Sequence, residues 1–262
     1  MRGTRKAGAA RVRTSAHEES DEPGRTDAPE EAAGATAGRD ARPPDRHPGY
    51  QHGLIDLRGR PGRAPAAHYP PDAVVVISGL PGSGKSTLLR RWSTEAPVID
   101  PRDVHLACEA VMPARIPYAA YRPWARVLLF LRLTGALRRG GPLLVHDCGS
   151  RPWLRRWLAA GAARYGRELH LVLLDLSPAE ALAGQRARGR WASPRVFARH
   201  RRGLERLLRS LPADDGSRPA PGPVPPALAE ATSVLLLDRS SREHASADFG
   251  RPGGGAREST EA

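Results

Sequence analysis

Gly79-Leu-Pro-Gly-Ser-Gly-Lys-Ser-Thr87 fits G-x-x-x-x-G-K-[ST], the pattern of a phosphate-cradling P-loop, and its surroundings decide the fold. Ala73-Val-Val-Val-Ile77 before it is a short apolar, β-branched run of buried-strand type. Ser86–Glu95 after it carries Leu88, Leu89 and Trp92 at helical spacing. Strand, glycine loop and helix together predict an anion site, with backbone N–H groups and a helix N-terminus facing the phosphates. Lys85 is one of only two lysines among the 41 basic residues, so a compact ammonium is wanted at this position. The pattern expects Gly79, Leu80, Pro81, Gly82, Ser83, Gly84, Lys85, Ser86 and Thr87 to line a nucleoside triphosphate. Lys85 would reach the β/γ-phosphates and the Ser86 hydroxyl would bind Mg²⁺.

Outward from this loop, apolar runs alternate with helical patterns. Strands are expected at Ala73–Ser78, Pro97–Asp100, Pro142–Asp147, Glu168–Leu176 and Ser233–Asp238, and helices near 85–95, 123–139, 151–165, 178–189 and 194–210. Glu168–Asp175 and Val234–Leu237 read as strands buried on both faces. The expectation is an α/β three-layer sandwich of the P-loop NTPase type. Its mostly parallel, five-stranded sheet would carry helices on both faces and an arginine-rich lid. Pro123, Pro152, Pro178 and Pro194 each stand where a first helical turn would begin.

Composition sets the limits of the domain. Residues 1–70 are rich in Ala, Gly, Arg, Pro, Asp and Glu, and the chain after about 240 lacks apolar periodicity, so both are expected not to fold. The P-loop domain is then 71–240. That span holds 26 basic and 14 acidic side chains, +12 of the chain's formal +13. Nine arginines stand against the single acid Glu205 within Arg186–Arg209, which suits a polyanionic ligand, although a GC-rich coding sequence would also enrich arginine. Cys108 and Cys148 lack metal-ligand spacing and read as reduced thiols of a cytoplasmic protein. The basic start has no apolar segment of secretory type behind it, and no apolar run reaches the ~18 residues of a membrane span.

The absence of asparagine rules out the Asn-Lys-x-Asp guanine reader of GTPases, and no Leu-Ser-Gly-Gly-Gln stretch of transporter ATPases occurs. Small P-loop kinases remain. Within that class, four stretches of 73–238 resemble the polynucleotide-kinase-like group, often filed among AAA-family ATP-binding proteins. They are Gly79–Thr87, Val98-Ile-Asp-Pro-Arg-Asp-Val-His105, Leu143-Leu-Val-His-Asp-Cys-Gly-Ser150, and Gln185-Arg-Ala-Arg-Gly-Arg190 followed by Ser193-Pro-Arg-Val-Phe197.

The resemblance implies an ATP- and Mg²⁺-dependent transfer of the γ-phosphate to a hydroxyl. Asp103, directly after Arg102, would accept the hydroxyl proton, with Asp100 as the alternative and a helix-capping loop aspartate as the bland reading. Asp147 closes its strand as a Walker-B-type acid would and shares Mg²⁺ with Ser86, or else caps the turn. Arg186 and Arg188 would be lid cations on the transferring phosphate. Arg102, Arg151 and Arg190 would contact the acceptor. The family's arginine three residues beyond the base is Leu106 here, so the acceptor stays open between a small hydroxylated molecule and a nucleic-acid 5′ end. A regulatory ATP-binding switch without acceptor transfer is the other reading.

Overall fold

Four runs of β-branched and leucine side chains, each buried along its whole length or nearly so, make the centre of the molecule. In the computed structural model, residues 49–60, 66–113, 115–147, 152–189, 191–212 and 221–250 are described. Within them the strands are β1 (Gly53–Asp56), β2 (Ala66–His68), β3 (Val74–Gly79), β4 (Val98–Ile99), β5 (Leu143–His146), β6 (Leu169–Leu174), β7 (Ser233–Leu237) and β8 (Ser246–Asp248). The helices are α1 (Lys85–Trp92), α2 (Pro101–Val111), α3 (Tyr118–Arg139), α4 (Pro152–Ala163), α5 (Pro178–Arg186), α6 (Pro194–Arg209) and α7 (Arg239–His244).

The main sheet has six strands in the order β1-β7-β6-β3-β5-β4, and each of its pairings is parallel. The P-loop strand β3 thus lies inside, between β5 and β6. Alternate residues face opposite layers, as a strand's period of two requires. Val74, Val76, Leu171, Leu173, Val234 and Leu236 pack with Leu133 and Leu137 of α3, Leu154 and Leu158 of α4, and Leu204 and Leu207 of α6. Val75, Ile77, Val172, Leu174, Leu235 and Leu237 pack on the other side with Leu88, Leu89 and Trp92 of α1. Burying one such side chain contributes about 1.5–3 kcal/mol, so the two layers are the main source of stability.

The α/β sandwich agrees with the sequence reading, with one strand more than the five expected. That strand, β1, comes from the segment before residue 71, and β2 also forms there, pairing with β8 beyond residue 240 in a two-stranded parallel sheet. Both segments expected not to fold therefore contribute strands at 53–56, 66–68 and 246–248. A four-residue edge strand pairs by backbone hydrogen bonds and needs little apolar sequence of its own, which is why composition hid it. Residues 1–48, 61–65, 213–220 and 251–262 lie outside the described residues, as does Cys148; Cys108 is a buried free thiol.

Proline placement divides in two. Pro178 and Pro194 follow the N-caps Ser177 and Ser193 and Pro152 opens α4, as expected. Pro123, expected in a first turn, lies inside α3, which starts five residues earlier at Tyr118. Pro101 opens a helix that the sequence reading did not include: Asp100 caps it by accepting from the Arg102 amide at 2.8 Å. Among the described residues, no helix is long and apolar enough to cross a membrane.

Candidate functional site

The chain leaves β3 and turns through Leu80–Gly84 before α1 begins. Gly82 and Gly84 have φ of 93° and 89°, which L side chains rarely adopt. Space also demands glycine at Gly82, where a β-carbon would overlap the Ala181 carbonyl, while one on Gly84 would displace the Arg242 guanidinium. No side chain caps α1 and no acid stands in its first turn, so its first N–H groups face the loop with the positive end of the helix dipole. The Ser83 hydroxyl oxygen is buried in this loop with no hydrogen-bond partner. Lys85, only 4% exposed, donates from Nζ to the carbonyls of Gly79 at 2.7 Å and Leu80 at 2.9 Å. Burial of an ammonium requires such partners, and they hold it inside the glycine loop.

Two acids flank the loop. Asp147 follows β5, next to β3, and is buried; Ser78 Oγ donates to its Oδ2 at 3.2 Å, and its amide continues the sheet by donating to the Ile77 carbonyl. Ser86 is exposed in the first turn of α1, a helix that packs against both β3 and β5. Asp100, at the end of β4, lies 2.8 Å from His146 Nδ1 through Oδ2. Burial works to raise the Asp100 pKa. The His146 contact, the Arg102 amide and the Lys85 charge outweigh it, so the carboxyl is held below its ordinary range. His146 thus orients Asp100 instead of merely filling the strand, a role the sequence reading did not see.

A cavity of about 470 Å³ opens along β4. Asp100 and Asp103 line it together with Leu131, Arg132, Gly135 and Arg139 of α3. Asp103 is exposed in the first turn of α2, with its amide donating to the Asp100 carbonyl. Arg102 is exposed on the same turn.

The arginine-rich segment behaves unevenly. Gln185 of α5 is buried; its Nε2 donates to the Pro81 carbonyl at 3.0 Å, while its Oε1 accepts from the Ala192 amide at 2.8 Å. One amide therefore ties the P-loop to the segment after α5. Arg188 donates from Nη2 to Thr87 Oγ1 at 3.2 Å, which brings it onto the helix that follows the loop. Arg186, the last residue of α5, is exposed. Arg151 and Arg190 fall outside the described residues. Arg242, which no motif marked, donates from Nη1 of α7 to the Ser83 carbonyl. Only the crowding at Gly84 in three dimensions singles it out.

The arrangement can receive a chain of phosphates on backbone amides, one buried ammonium and nearby guanidiniums, with carboxylates to either side. Among the described residues, no three His, Cys, Asp or Glu side chains cluster to ligate a metal. A cation here would rest on one hydroxyl, one carboxylate and phosphate oxygens, a donor set that suits Mg²⁺.

Comparison with curated proteins gives no match. Among solved structures, the chain is similar to one from the PezAT chromosomal toxin–antitoxin system of Streptococcus pneumoniae (15% identity, 72% of each chain, TM-score 0.46). It is also similar to a gluconokinase from Sinorhizobium meliloti (17% identity, 64% of this chain and 83% of that one, TM-score 0.36). A third is APS kinase of Mycobacterium tuberculosis, in complex with AMPPNP and APS (19% identity, 66% and 93%, TM-score 0.38). At such scores no substrate or partner carries over. The family model of the AAA domain matches residues 74–210, from the first residue of β3 to the end of α6 and more than half of the chain, and the protein belongs to that family.

Proposed function

We propose that the protein is an ATP-dependent phosphotransferase that moves the γ-phosphate to the hydroxyl of an acceptor. The observation that carries this reading is the cavity along β4: it presents the exposed carboxylate of Asp103 beside Asp100, whose own carboxyl feels the Lys85 charge. A phosphate cradle alone would serve a switch as well. A cradle with a carboxylate-lined cavity next to it has room for a second substrate.

In this mechanism the loop amides, the Ser83 hydroxyl and Lys85 bind the β- and γ-phosphates of ATP. Ser86 and Asp147 hold Mg²⁺, which neutralises charge on the phosphate oxygens when bound. Asp103 accepts the proton of the acceptor hydroxyl. The acceptor oxygen forms a bond to the γ-phosphorus as the bond to the β,γ-bridging oxygen breaks, and ADP leaves with that electron pair. Asp100 keeps its charge through His146 and the Arg102 amide and fixes the start of α2, so it positions Asp103. Arg188, held on Thr87, supplies a cation to the transferring group, and Arg186 is close to it in the chain. Arg102, and in the sequence reading Arg151 and Arg190, are acceptor contacts. A small hydroxylated molecule and a polynucleotide 5′ end both meet these requirements.

The test is transfer of γ-labelled phosphate from Mg·ATP to pooled acceptors, with Asp103→Asn run alongside. Label on one acceptor class, lost in Asp103→Asn, supports the reading. Label released only as free phosphate, equally in both proteins, refutes it in favour of a nucleotide-dependent switch.

A further inference from the structure

The α3 wall of the cavity carries charge that the phosphotransfer site does not use. Arg132, Gly135 and Arg139 stand at i, i+3 and i+7 of α3 and therefore share one face of that helix. All three line the cavity. Gly135 leaves room there: a β-carbon on it would come within 3.3 Å of Arg139 Nη1, so the Arg139 guanidinium lies over the gap. Among the described residues neither arginine makes a hydrogen bond or ion pair, although Asp100 and Asp103 line the same cavity. Arg132, Arg139 and Asp103 are exposed, so their charges are open to a ligand entering the cavity. The remaining lining is apolar, from Val98, Val104 and Leu131 among others.

We propose that this cavity takes a small hydroxylated anion. Its hydroxyl would lie at Asp103, and its carboxylate, phosphate or sulfate group at Arg132 and Arg139. The inference rests on the phosphotransferase reading and narrows its acceptor. Three features argue for it. A volume of about 470 Å³ suits a metabolite-sized ligand. Two guanidiniums that pair with no described residue offer forked donors to a planar or tetrahedral anion. The charge order also fixes direction, because the acids repel the anionic end and the arginines hold it away from the P-loop. A neutral polyol would leave both arginines without a partner.

Two measurements keep this idea separate from the reading beneath it. The first is sulfate binding, followed by thermal shift with the P-loop saturated by Mg·AMPPNP. It compares the wild type with Arg132→Gln/Arg139→Gln, after matched circular dichroism and melting without sulfate. The expected result is a sulfate-dependent rise in Tm in the wild type, with the half-effect concentration at least about tenfold higher in the double variant, as loss of a charged hydrogen-bonded pair predicts. Equal curves would overturn the proposal whether or not the protein is a kinase.

The second is γ-phosphate transfer to three pools: hydroxylated carboxylates and phosphomonoesters, neutral polyols and nucleosides, and 5′-OH oligonucleotides. Label on the first pool is expected, with Arg139→Gln raising KM at least about tenfold and changing kcat less, and Arg139→Lys recovering part of the loss. Label on the neutral or oligonucleotide pool, with KM unmoved in Arg139→Gln, overturns the acceptor class alone. A sulfate effect on Tm with no transfer to any pool sinks the phosphotransferase reading, and with it the acceptor role, while the anion site itself stands.

Discussion

Gly184 of α5 faces the carbonyl oxygen of Gly82 in the P-loop so closely that a β-carbon on Gly184 would overlap it. The reverse contact is equally tight, because a β-carbon on Gly82 would overlap the Ala181 carbonyl. Loop and helix therefore meet backbone to backbone, and Gln185 fastens the contact through Pro81.

Gly184→Ala should force the two apart. Ala suits a helix better than glycine, by up to about 1 kcal/mol, so propensity alone predicts stabilisation. The overlap is with backbone, which cannot rotate away, and overpacking of this kind costs about 1–3 kcal/mol. The expected net result is a lower Tm together with weaker AMPPNP binding by calorimetry. A Tm at or above wild type would show that α5 does not bear on the loop.

Asp100 and Asp103 are three residues apart and should fail differently. Asp100 caps α2 and meets His146, so Asp100→Ala should destabilise by about 1 kcal/mol through the lost cap, with more from the His146 contact. Asp103 is exposed in the first turn. Asp103→Asn should leave Tm within about 0.5 kcal/mol of wild type in equivalent stability while abolishing phosphate transfer. Equal losses of transfer in Asp103→Asn and Asp100→Asn, with Tm unchanged in both, would instead make the pair a shared base.

The P-loop could be read in the sequence because its requirements are local. Glycines at positive φ, one ammonium and a β-branched strand before them are all adjacent in the chain. β6 and β7 were readable for a similar reason, since strands buried on both faces are apolar at nearly every position, and their two polar residues, His170 and Ser233, meet each other. Helix α2 was missed because Asp100-Pro101 signals a turn as readily as an N-cap followed by a first helical residue. The start of α3 was misplaced because Pro123 satisfies the first-turn pattern, yet the helix tolerates it one turn further in. Gln185, His146 and Arg242 bear on the site only through partners 104, 46 and 159 residues away, which no local pattern contains.

His170 should give the fold a pH dependence separate from the site. It is fully buried in β6, with Nδ1 2.9 Å from Ser233 Oγ and its ring against Tyr69. Burial, with a smaller effect from His52, lowers its pKa to about 3; Glu168 at 3.6 Å pulls the other way without prevailing, because desolvation of the imidazolium is the larger effect. Unfolded, the same ring titrates near 6.5. Above that pH both states are neutral. As pH falls from about 6.5 towards 3, only the unfolded chain takes the proton, so stability drops by up to about 1.4 kcal/mol per pH unit. His170→Asn removes the titration, and denaturant midpoints from pH 6.5 to 4 should then fall less steeply than in wild type. Parallel curves would mean that His170 is charged in the fold.

Lys85→Met tests the cradle most directly. The ammonium bridges two loop carbonyls, and hydrogen bonds to a charged group are worth about 1.5–3 kcal/mol. Methionine fills a similar volume without the charge. AMPPNP affinity should fall about 10–150-fold, the equivalent of that energy. An unchanged Kd would remove Lys85 from the phosphate site.

Arg242 should connect α7 to nucleotide binding through charge. Its guanidinium donates to the Ser83 carbonyl and lies over Gly84. Burial lowers its pKa, Glu243 opposes that, and Arg239, Arg188 and Arg91 add repulsion. The Arg242, Arg239, Arg188 and Arg91 guanidiniums, close enough to repel one another, surround a loop whose polyphosphate would be the anion that relieves them. Salt screens such repulsion, with a Debye length of about 10 Å at 0.1 M. Raising KCl should therefore increase the stability of the nucleotide-free protein while weakening AMPPNP binding. In Arg242→Met both slopes should be shallower, and AMPPNP affinity at low salt should be about tenfold lower, since one charged donor no longer holds the Ser83 carbonyl. If Arg242→Met kept wild-type affinity and both salt slopes, the guanidinium would be only a spacer over Gly84, and the coupling of α7 to the loop would fail.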